Sequence, residues 1–352
     1  MRDWENNIRR VVPYTPGEQP KNTCVIKLNT NENPYPPAPG VKEVLSNFNT
    51  DDLRLYPDPR VDKLVNAIAD FYKIDSSKVF VGVGSDDVLA MIFMTFFNSK
   101  KPVLFPDITY SFYDVWADML RIPFETKALD DDFQIRKEDY YGENGGVVFP
   151  NPNAPTGILM PLSEIEDIIA HNRNVIVVVD EAYIDFGGES ALPLIEKYDN
   201  LLVVQTFSKS RSLAGMRLGF AMGNEKLIRY INDVKYSFNS YTLNQTALSL
   251  GVQAIKDREY FEETCAKVIA TREWTKCELK KLGFSFGDSM SNFIFATHER
   301  VPAKEIFEAL REHNIFVRYF SKPRISNYLR ISIGTQQEME RLTAFLAVFL
   351  GE

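Results

Sequence analysis

The stretch VIVVVDEAYIDF, residues 175–186, decides the fold. Its first five residues are apolar without interruption, the pattern of a strand buried on both faces rather than one alternating between core and water. The run then delivers Asp180, Glu181 and Tyr183 at its carboxyl end, where a carboxylate is partly desolvated and needs a cation or a set of donors. Taken alone, the commoner explanation is an acid satisfied by a helix N-terminus.

Outward from this strand, similar short apolar runs lie at 79–83, 103–105, 147–149, 201–204 and 218–221, most of them separated by helical or turn-rich stretches. The spacing of Val61, Leu64, Val65, Ile68 and Phe71 predicts a helix over 61–72 that leads into the first of these runs. Strands alternating with helices imply an α/β fold whose largely parallel sheet is covered on both faces. In such sheets ligands bind beyond the carboxyl ends of the strands. After about residue 224 the pattern turns to long helices, through LIRYINDVKYSF (227–238) and EETCAKVIATREWTKCELKKL (262–282). Strand-like runs at 293–296, 315–317 and 329–334 and a closing amphipathic helix follow, which predicts a smaller α/β unit. The expected organisation is a Pro- and Asn-rich arm over 1–40, a large domain over 41–240 and a small domain over 241–352.

The 352 residues are 45% hydrophobic and 25% charged, with a net charge of −8. That is globular composition, and the negative balance disfavours nucleic acid as a partner, since such binding rests on clustered Lys and Arg. The amino-terminal MRDWENNIRR lacks the apolar run of a signal peptide, and no stretch approaches the roughly 18 apolar residues of a membrane span. A cytoplasmic protein without a membrane partner is expected. Cys24, Cys265 and Cys277 suit neither a disulfide framework nor a zinc site. His171, His298 and His313 lack a second ligand at metal-binding spacing, so no metal is expected.

Three further segments carry chemistry. LLVVQTFSKSRSLAGMRLGF (201–220) places Thr206, Ser208, Lys209 and Ser210 directly after its apolar part, with Arg217 eight residues beyond the lysine. Alone such a lysine is more often a solvated loop residue, but hydroxyls on both sides and a following guanidinium resemble an anion site built around an amine. In VFVGVGSDDVLAMIF (79–93) a strand ends in Gly82, Gly84 and Ser85 and an apolar helix starts at once, offering backbone N–H groups to a phosphate. The same residues also fit an ordinary Ser85 N-cap with acids in the first turn. Asp87 stands where a dinucleotide G-x-G-x-x-G needs its third glycine, which argues against an NAD-dependent dehydrogenase. FPNPNAPTGILM (149–160) is too rich in proline for a helix and presents Asn151, Asn153, Thr156 and Gly157 in a loop.

Together NAPTG (153–157), DEAY (180–183) and SKSRSLAGMRLG (208–219), in this order and spacing, resemble the fold-type I aminotransferases that use pyridoxal 5'-phosphate, and the resemblance covers nearly the whole chain. Within that group LNTNENPYPP (28–37), LRLYPDP (53–59), GVGSDD (82–87) and YLRISIG (328–334) look most like the histidinol-phosphate aminotransferase family. The resemblance implies a mainly parallel seven-stranded sheet between helices, a smaller α/β domain and a homodimer. It implies ping-pong amino transfer between glutamate and imidazole acetol phosphate, giving 2-oxoglutarate and histidinol phosphate, in histidine biosynthesis. Threonine-phosphate decarboxylase and a broad aromatic aminotransferase share the fold and remain alternatives.

The resemblance also implies roles. Lys209 carries the cofactor covalently and moves the proton, Asp180 faces the pyridine nitrogen, Tyr183 bonds the ring's phenolic oxygen and Tyr110 stacks on the ring. Thr206 lies in the cofactor site, whose phosphate rests on the backbone of Ser85 and Asp86, on Ser208 and on Arg217. Tyr56 reaches the neighbouring subunit's cofactor phosphate. Arg330 holds the carboxylate of the amino donor or the anionic end of the other substrate, and Arg318 and Tyr14 lie near the substrate phosphate. One position departs from the family pattern: Ala154 replaces the asparagine that usually precedes Pro-Thr-Gly, and Asn153 is the expected stand-in.

Overall fold

Strands in this chain form where the apolar runs lie. In the computed structural model, which describes residues 2–21 and 25–351, they are β1 (Ile26–Leu28), β2 (Val79–Gly82), β3 (Val103–Pro106), β4 (Phe124–Lys127), β5 (Gly146–Pro150), β6 (Val177–Asp180), β7 (Leu201–Thr206), β8 (Gly219–Gly223), β9 (Phe284–Phe286), β10 (Phe293–His298), β11 (Ile315–Tyr319) and β12 (Leu329–Ser332). Cys24 lies outside the described residues.

A seven-stranded sheet has the order β2-β8-β7-β6-β5-β3-β4. β8 runs antiparallel to β2 and β7, and the remaining neighbours are parallel. The sheet is therefore mainly parallel, as expected. Two details differ from the sequence reading. The strand expected over 175–179 runs over Val177–Asp180, so Asp180 belongs to the ladder itself. β4 was not anticipated: its residues FETK are mostly exposed at the sheet edge, where no apolar run is needed to form a strand.

Alternation along the central strands divides their side chains between two layers. Val147, Phe149, Val177, Val179, Leu201 and Val203 enter one apolar cluster, while Val148, Val178, Leu202 and Val204 enter the other. Burying each such side chain contributes roughly 1.5–3 kcal/mol, so a polar substitution at Val178 would disrupt the sheet before it touched any chemistry. Helix Asp62–Tyr72 and helix Gln245–Lys256 cover the first layer, the latter through Ala247, Leu250, Ala254 and Ile255. Helices Gly84–Phe96, Tyr113–Leu120 and Glu225–Phe238 cover the second.

A five-stranded sheet, ordered β1-β11-β12-β10-β9, forms the second core with helices Arg258–Lys281, Ala303–Glu312 and Gln336–Leu350. Its edge strand β1 comes from near the amino terminus and pairs parallel with β11. Residues that follow β1 are thereby carried back against the ends of β6 and β7. Among the described residues no helix is long and apolar enough to cross a membrane, and no group of three or more His, Cys, Asp or Glu could hold a metal ion.

Candidate active site

The alternation of β6 decides where its polar end points. Asp180 shares the side of Val178, and the layer there includes Tyr113. Tyr113 Oη donates to Asp180 Oδ2 at 2.9 Å, and the Ala182 N–H donates to Oδ1 at 3.2 Å. Burial pushes the Asp180 carboxyl up to about 6, with these two donors offsetting only part of the effect. Among the described residues it has no salt-bridge partner. A cation arriving from a ligand would meet a carboxylate already desolvated for it.

β7 supplies the amine. After Thr206 the chain turns sharply, with the Ser208 N–H donating to Thr206 Oγ1 at 3.1 Å. Asn33 Nδ2 pins this turn by donating to the backbone oxygens of Lys209 and Ser210 at 3.0 and 3.2 Å. Lys209 Nζ donates to Thr30 O at 3.1 Å and lies 5.6 Å from the centre of the Tyr183 ring.

The anion-binding end is built where helix Gly84–Phe96 starts beside the entry to β8. Gly84 has φ +83°, and a Cβ on it would collide with the Arg217 guanidinium. A Cβ on Gly219 would collide with the backbone of Ser85. Position 84 needs glycine for its left-handed backbone and position 219 for the close approach. Arg217 Nη2 pairs with Asp86 Oδ2 at 3.0 Å and Nη1 donates to Ser208 Oγ at 3.3 Å. Tyr110 Oη donates to Asp86 Oδ1 at 2.6 Å, and burial raises its phenol well above the usual range. The N-cap reading of Ser85 does not hold. Val83 occupies that position, its N–H donating to Asp87 Oδ2 at 2.9 Å, which leaves Ser85 inside the first turn with the dipole's positive end.

These groups share one cavity of about 180 Å³, lined among others by Ser85, Asp180, Tyr183, Thr206, Lys209 and Arg217. An adjoining cavity, also about 180 Å³, shares Tyr110, Ala154, Tyr183 and Lys209 and adds Tyr14, Arg318 and Arg330. Arg318 and Arg330 face each other in register across β11 and β12. Arg330 Nη2 donates to Asn29 O at 3.0 Å, whereas its Nε has no hydrogen-bond partner among the described residues. Burial lowers the Arg330 pKa. Arg318 donates to the Thr15 and Pro16 backbone oxygens, at 3.4 and 3.5 Å. Two guanidiniums without a carboxylate partner among the described residues select for anions. Tyr14 is held there by stacking on Phe112 at 4.3 Å between ring centres.

Two expected residues stand apart. Asn153 is buried, and its Nδ2 donates to Ile108 O and Thr156 Oγ1 at 3.0 Å each; it lines neither cavity. Tyr56 is 81% exposed, packs at a tilt against Tyr241 with ring centres 4.7 Å apart and also lines neither cavity. Conversely, Asn29, Thr30 and Asn31 make direct contacts with Arg330, Lys209 and Tyr183. The segment LNTNENPYPP contains them, but nothing local to it says which side chains they meet.

Comparison with known proteins places the chain in a family. The family model for Aminotransferase class I and II matches residues 23–346. A histidinol-phosphate aminotransferase of Clostridium botulinum is 53% identical over 337 residues, covering 96% of this chain and 95% of that protein. The same enzyme of Lactococcus lactis is 51% identical, covering 99% of this chain and 98% of its own. Among solved structures, histidinol-phosphate aminotransferase from Sinorhizobium meliloti, in complex with pyridoxal-5'-phosphate, superimposes with a TM-score of 0.84 at 23% identity, covering 93% of this chain and 91% of that one. At that identity the structural match speaks for the fold alone.

Proposed function

The chain belongs to the class I and II aminotransferases and, within them, to the histidinol-phosphate aminotransferase family, and from that premise we propose that it exchanges an amino group between glutamate and imidazole acetol phosphate, using pyridoxal 5'-phosphate held by Lys209. The observation that supports this most is the convergence of Lys209, Asp180 and Arg217 on one cavity from the ends of β6, β7 and the start of β8. The residues fit the cofactor: a desolvated carboxylate without a cation, an amine, and a helix start with a guanidinium beside it. When bound, the pyridoxal ring supplies an electron sink for the carbon that loses its proton.

Asp180 holds the proton on the ring nitrogen, because a carboxylate in this buried site is stabilised by a facing cation. Tyr183 donates to the phenolic oxygen. Tyr110, tied to Asp86, packs against the ring face. The N–H groups of Ser85 and Asp86 at the helix start, with Ser208 and Arg217, take the phosphate, and Thr206 shapes the turn that presents Ser208. With the cofactor in place, the Lys209 amine would be the group that takes up and returns the substrate's proton. Arg330, through its unpaired Nε edge, takes in turn the carboxylate of glutamate or of 2-oxoglutarate and the phosphate of histidinol phosphate, with Arg318 and Tyr14 beside that phosphate. Asn153 serves the loop rather than the ring.

Tyr56, exposed on one copy of the chain, is assigned to the cofactor phosphate of a second copy, so a homodimer is part of the reading, as is a cytoplasmic setting, which the free thiols of Cys265 and Cys277 suit. Borohydride reduction of the purified, visibly absorbing protein should fix the cofactor on the peptide containing Lys209. Glutamate plus imidazole acetol phosphate should turn over, whereas carbon dioxide release from threonine phosphate would overturn the substrate assignment.

A further inference from the structure

Tyr183 is held by a second side chain. Asn31 Nδ2 donates to Tyr183 Oη at 3.0 Å, so the phenol accepts there and keeps its own proton for another acceptor. The amide orientation follows from its other contacts. The Asn31 backbone N–H donates to Ser332 Oγ at 2.9 Å, and the Ser332 hydroxyl donates to Asn31 Oδ1 at 2.8 Å. A reversed amide would leave the Ser332 proton without that acceptor. Asn292 Nδ2 completes the hold by donating to Asn31 O at 3.0 Å. Asn31 is 1% exposed and has φ 55°, a left-handed conformation that Asn tolerates better than most residues. Ala154, which lines both cavities, offers only a methyl group there and no hydrogen-bond donor.

We propose that Asn31 is a positioning residue for the cofactor reaction: by donating to Tyr183 it fixes the phenol as a donor to the cofactor's phenolic oxygen, a duty that falls on Tyr183 without help from position 154. The inference rests on the function proposed above. It also ties that donor to the five-stranded sheet, since Ser332 lies on β12. A donor on the phenolic oxygen withdraws negative charge from it and so lowers the proton affinity of the nitrogen through which Lys209 carries the cofactor.

The test is the pH midpoint of the visible absorbance change of the holoenzyme. Asn31→Asp keeps the size and the Ser332 contact but turns an acceptor toward Tyr183, drawing the phenol proton away from the cofactor. The midpoint should rise by about 1 pH unit. Asn31→Gly, which suits the left-handed backbone, and Ser332→Ala, which releases the amide, should raise it by smaller amounts. These two variants carry the test should Asn31→Asp fail to fold.

Other charges around this cavity are Asp86, Asp180, Glu32 and Arg217, and Arg318 and Arg330 border the adjoining one. None is altered by these variants. A Tyr183→Phe background separates the phenol route from the bare charge of the new aspartate. There the Asn31 variants should leave the midpoint where Tyr183→Phe alone puts it, and a shift that persists at full size overturns the proposal. Unchanged midpoints in the Tyr183 protein overturn it as well. A protein with no visible band, or with the reduced cofactor on a peptide lacking Lys209, overturns the cofactor assignment instead.

Discussion

Asp180 and Glu181 are adjacent, both buried, and both held above the ordinary carboxylate range, yet they sit in two different regions. Asp180 points with Val178 into the layer of Tyr113 and lines the cavity. Glu181 points the other way, into the layer of Val177 and Val179. It accepts from Ser190 Oγ and the Ala191 N–H at 2.6 Å each and from Gln205 Nε2 at 2.8 Å. Burial pushes Glu181 up to about 7 and Asp180 to about 6. The shifted pKa therefore does not distinguish chemistry from scaffold here. What does is a single step along a strand, which turns one carboxylate toward a cavity and the next toward protein donors.

The largest effect should come from breaking that asymmetry at the cavity. Asp180→Asn keeps shape and volume but removes the charge facing the ring nitrogen. The turnover number should fall by about 10³-fold, the scale of losing a preorganised electrostatic partner, while Glu181→Gln stays within about tenfold of the parent. Steady-state kinetics of the two variants decide it. Equal losses would mean that the two regions are not functionally distinct.

The same pair predicts a pH dependence in the cofactor-free protein. Both carboxyls have folded values above their unfolded ones, 3.8 to about 6 for Asp180 and 4.5 to about 7 for Glu181. Their neutral forms are thus favoured in the fold. That contribution is fully present below about pH 4 and is lost as the pH rises through 6 and 7. Asp180→Asn removes the penalty for the cavity acid. Relative to the parent it should gain stability between about pH 4 and 7, levelling at about 3 kcal/mol above that range, on the scale of 1.36 kcal/mol per pKa unit. Thermal melts across pH check this, and the sign is opposite to the effect on turnover. A variant equally stable at pH 5 and pH 8 relative to the parent would show that the carboxyl is not desolvated as described.

Much of this was readable from sequence because it depends on local patterns. Uninterrupted apolar runs mark strands buried on both faces, and a polar residue directly after such a run lies at the sheet's carboxyl edge, as Asp180 and Lys209 do. The division between Asp180 and Glu181 also follows from a period of two once the strand is placed. The edge strand Phe124–Lys127 was not readable, because it buries little and carries no apolar signature. Nor was the place of Asn31, whose partners Tyr183 and Ser332 lie 152 and 301 residues away. The choice between a Ser85 cap and a phosphate site was not readable, because the helix starts two residues earlier than a Ser85 cap requires, with Val83 at the cap position and Asp87 reaching back to the Val83 N–H.

Arg330 extends the comparison to the small sheet. Like Asp180 it is desolvated with part of its hydrogen-bonding capacity unused, but with the opposite sign. Arg330→Ala should raise KM for both glutamate and the phosphorylated substrate by about 30-fold or more, on the scale of truncating one member of a buried charge pair. Binding should suffer more than turnover. Unchanged KM values for both substrates would refute the role. A rise for only one would confine Arg330 to that substrate and move the other anion to Arg318.

The smallest effect tests the scaffold side. Glu181→Gln leaves an oxygen for the Ala191 N–H, but its new amide faces Gln205 Nε2, donor against donor. Gln205 can answer by turning its amide over, yet its Oε1 is already held by Tyr72 Oη, so one contact or the other is lost. A buried polar group left unpaired costs about 1–3 kcal/mol, against which removal of the Glu181 charge penalty at high pH works in the opposite direction. The net loss should therefore be largest near pH 5, where the parent carboxyl is neutral, and should shrink toward pH 8. Asp180→Asn and Glu181→Gln thus both improve, relative to the parent, as the pH rises, but the scaffold variant, which replaces an acid with three donors rather than two, starts from the larger deficit. Melts of the two proteins at pH 5 separate them: a deficit for Asp180→Asn equal to that of Glu181→Gln would place Asp180 among the fully bonded scaffold acids and remove the reason for assigning it to the ring nitrogen.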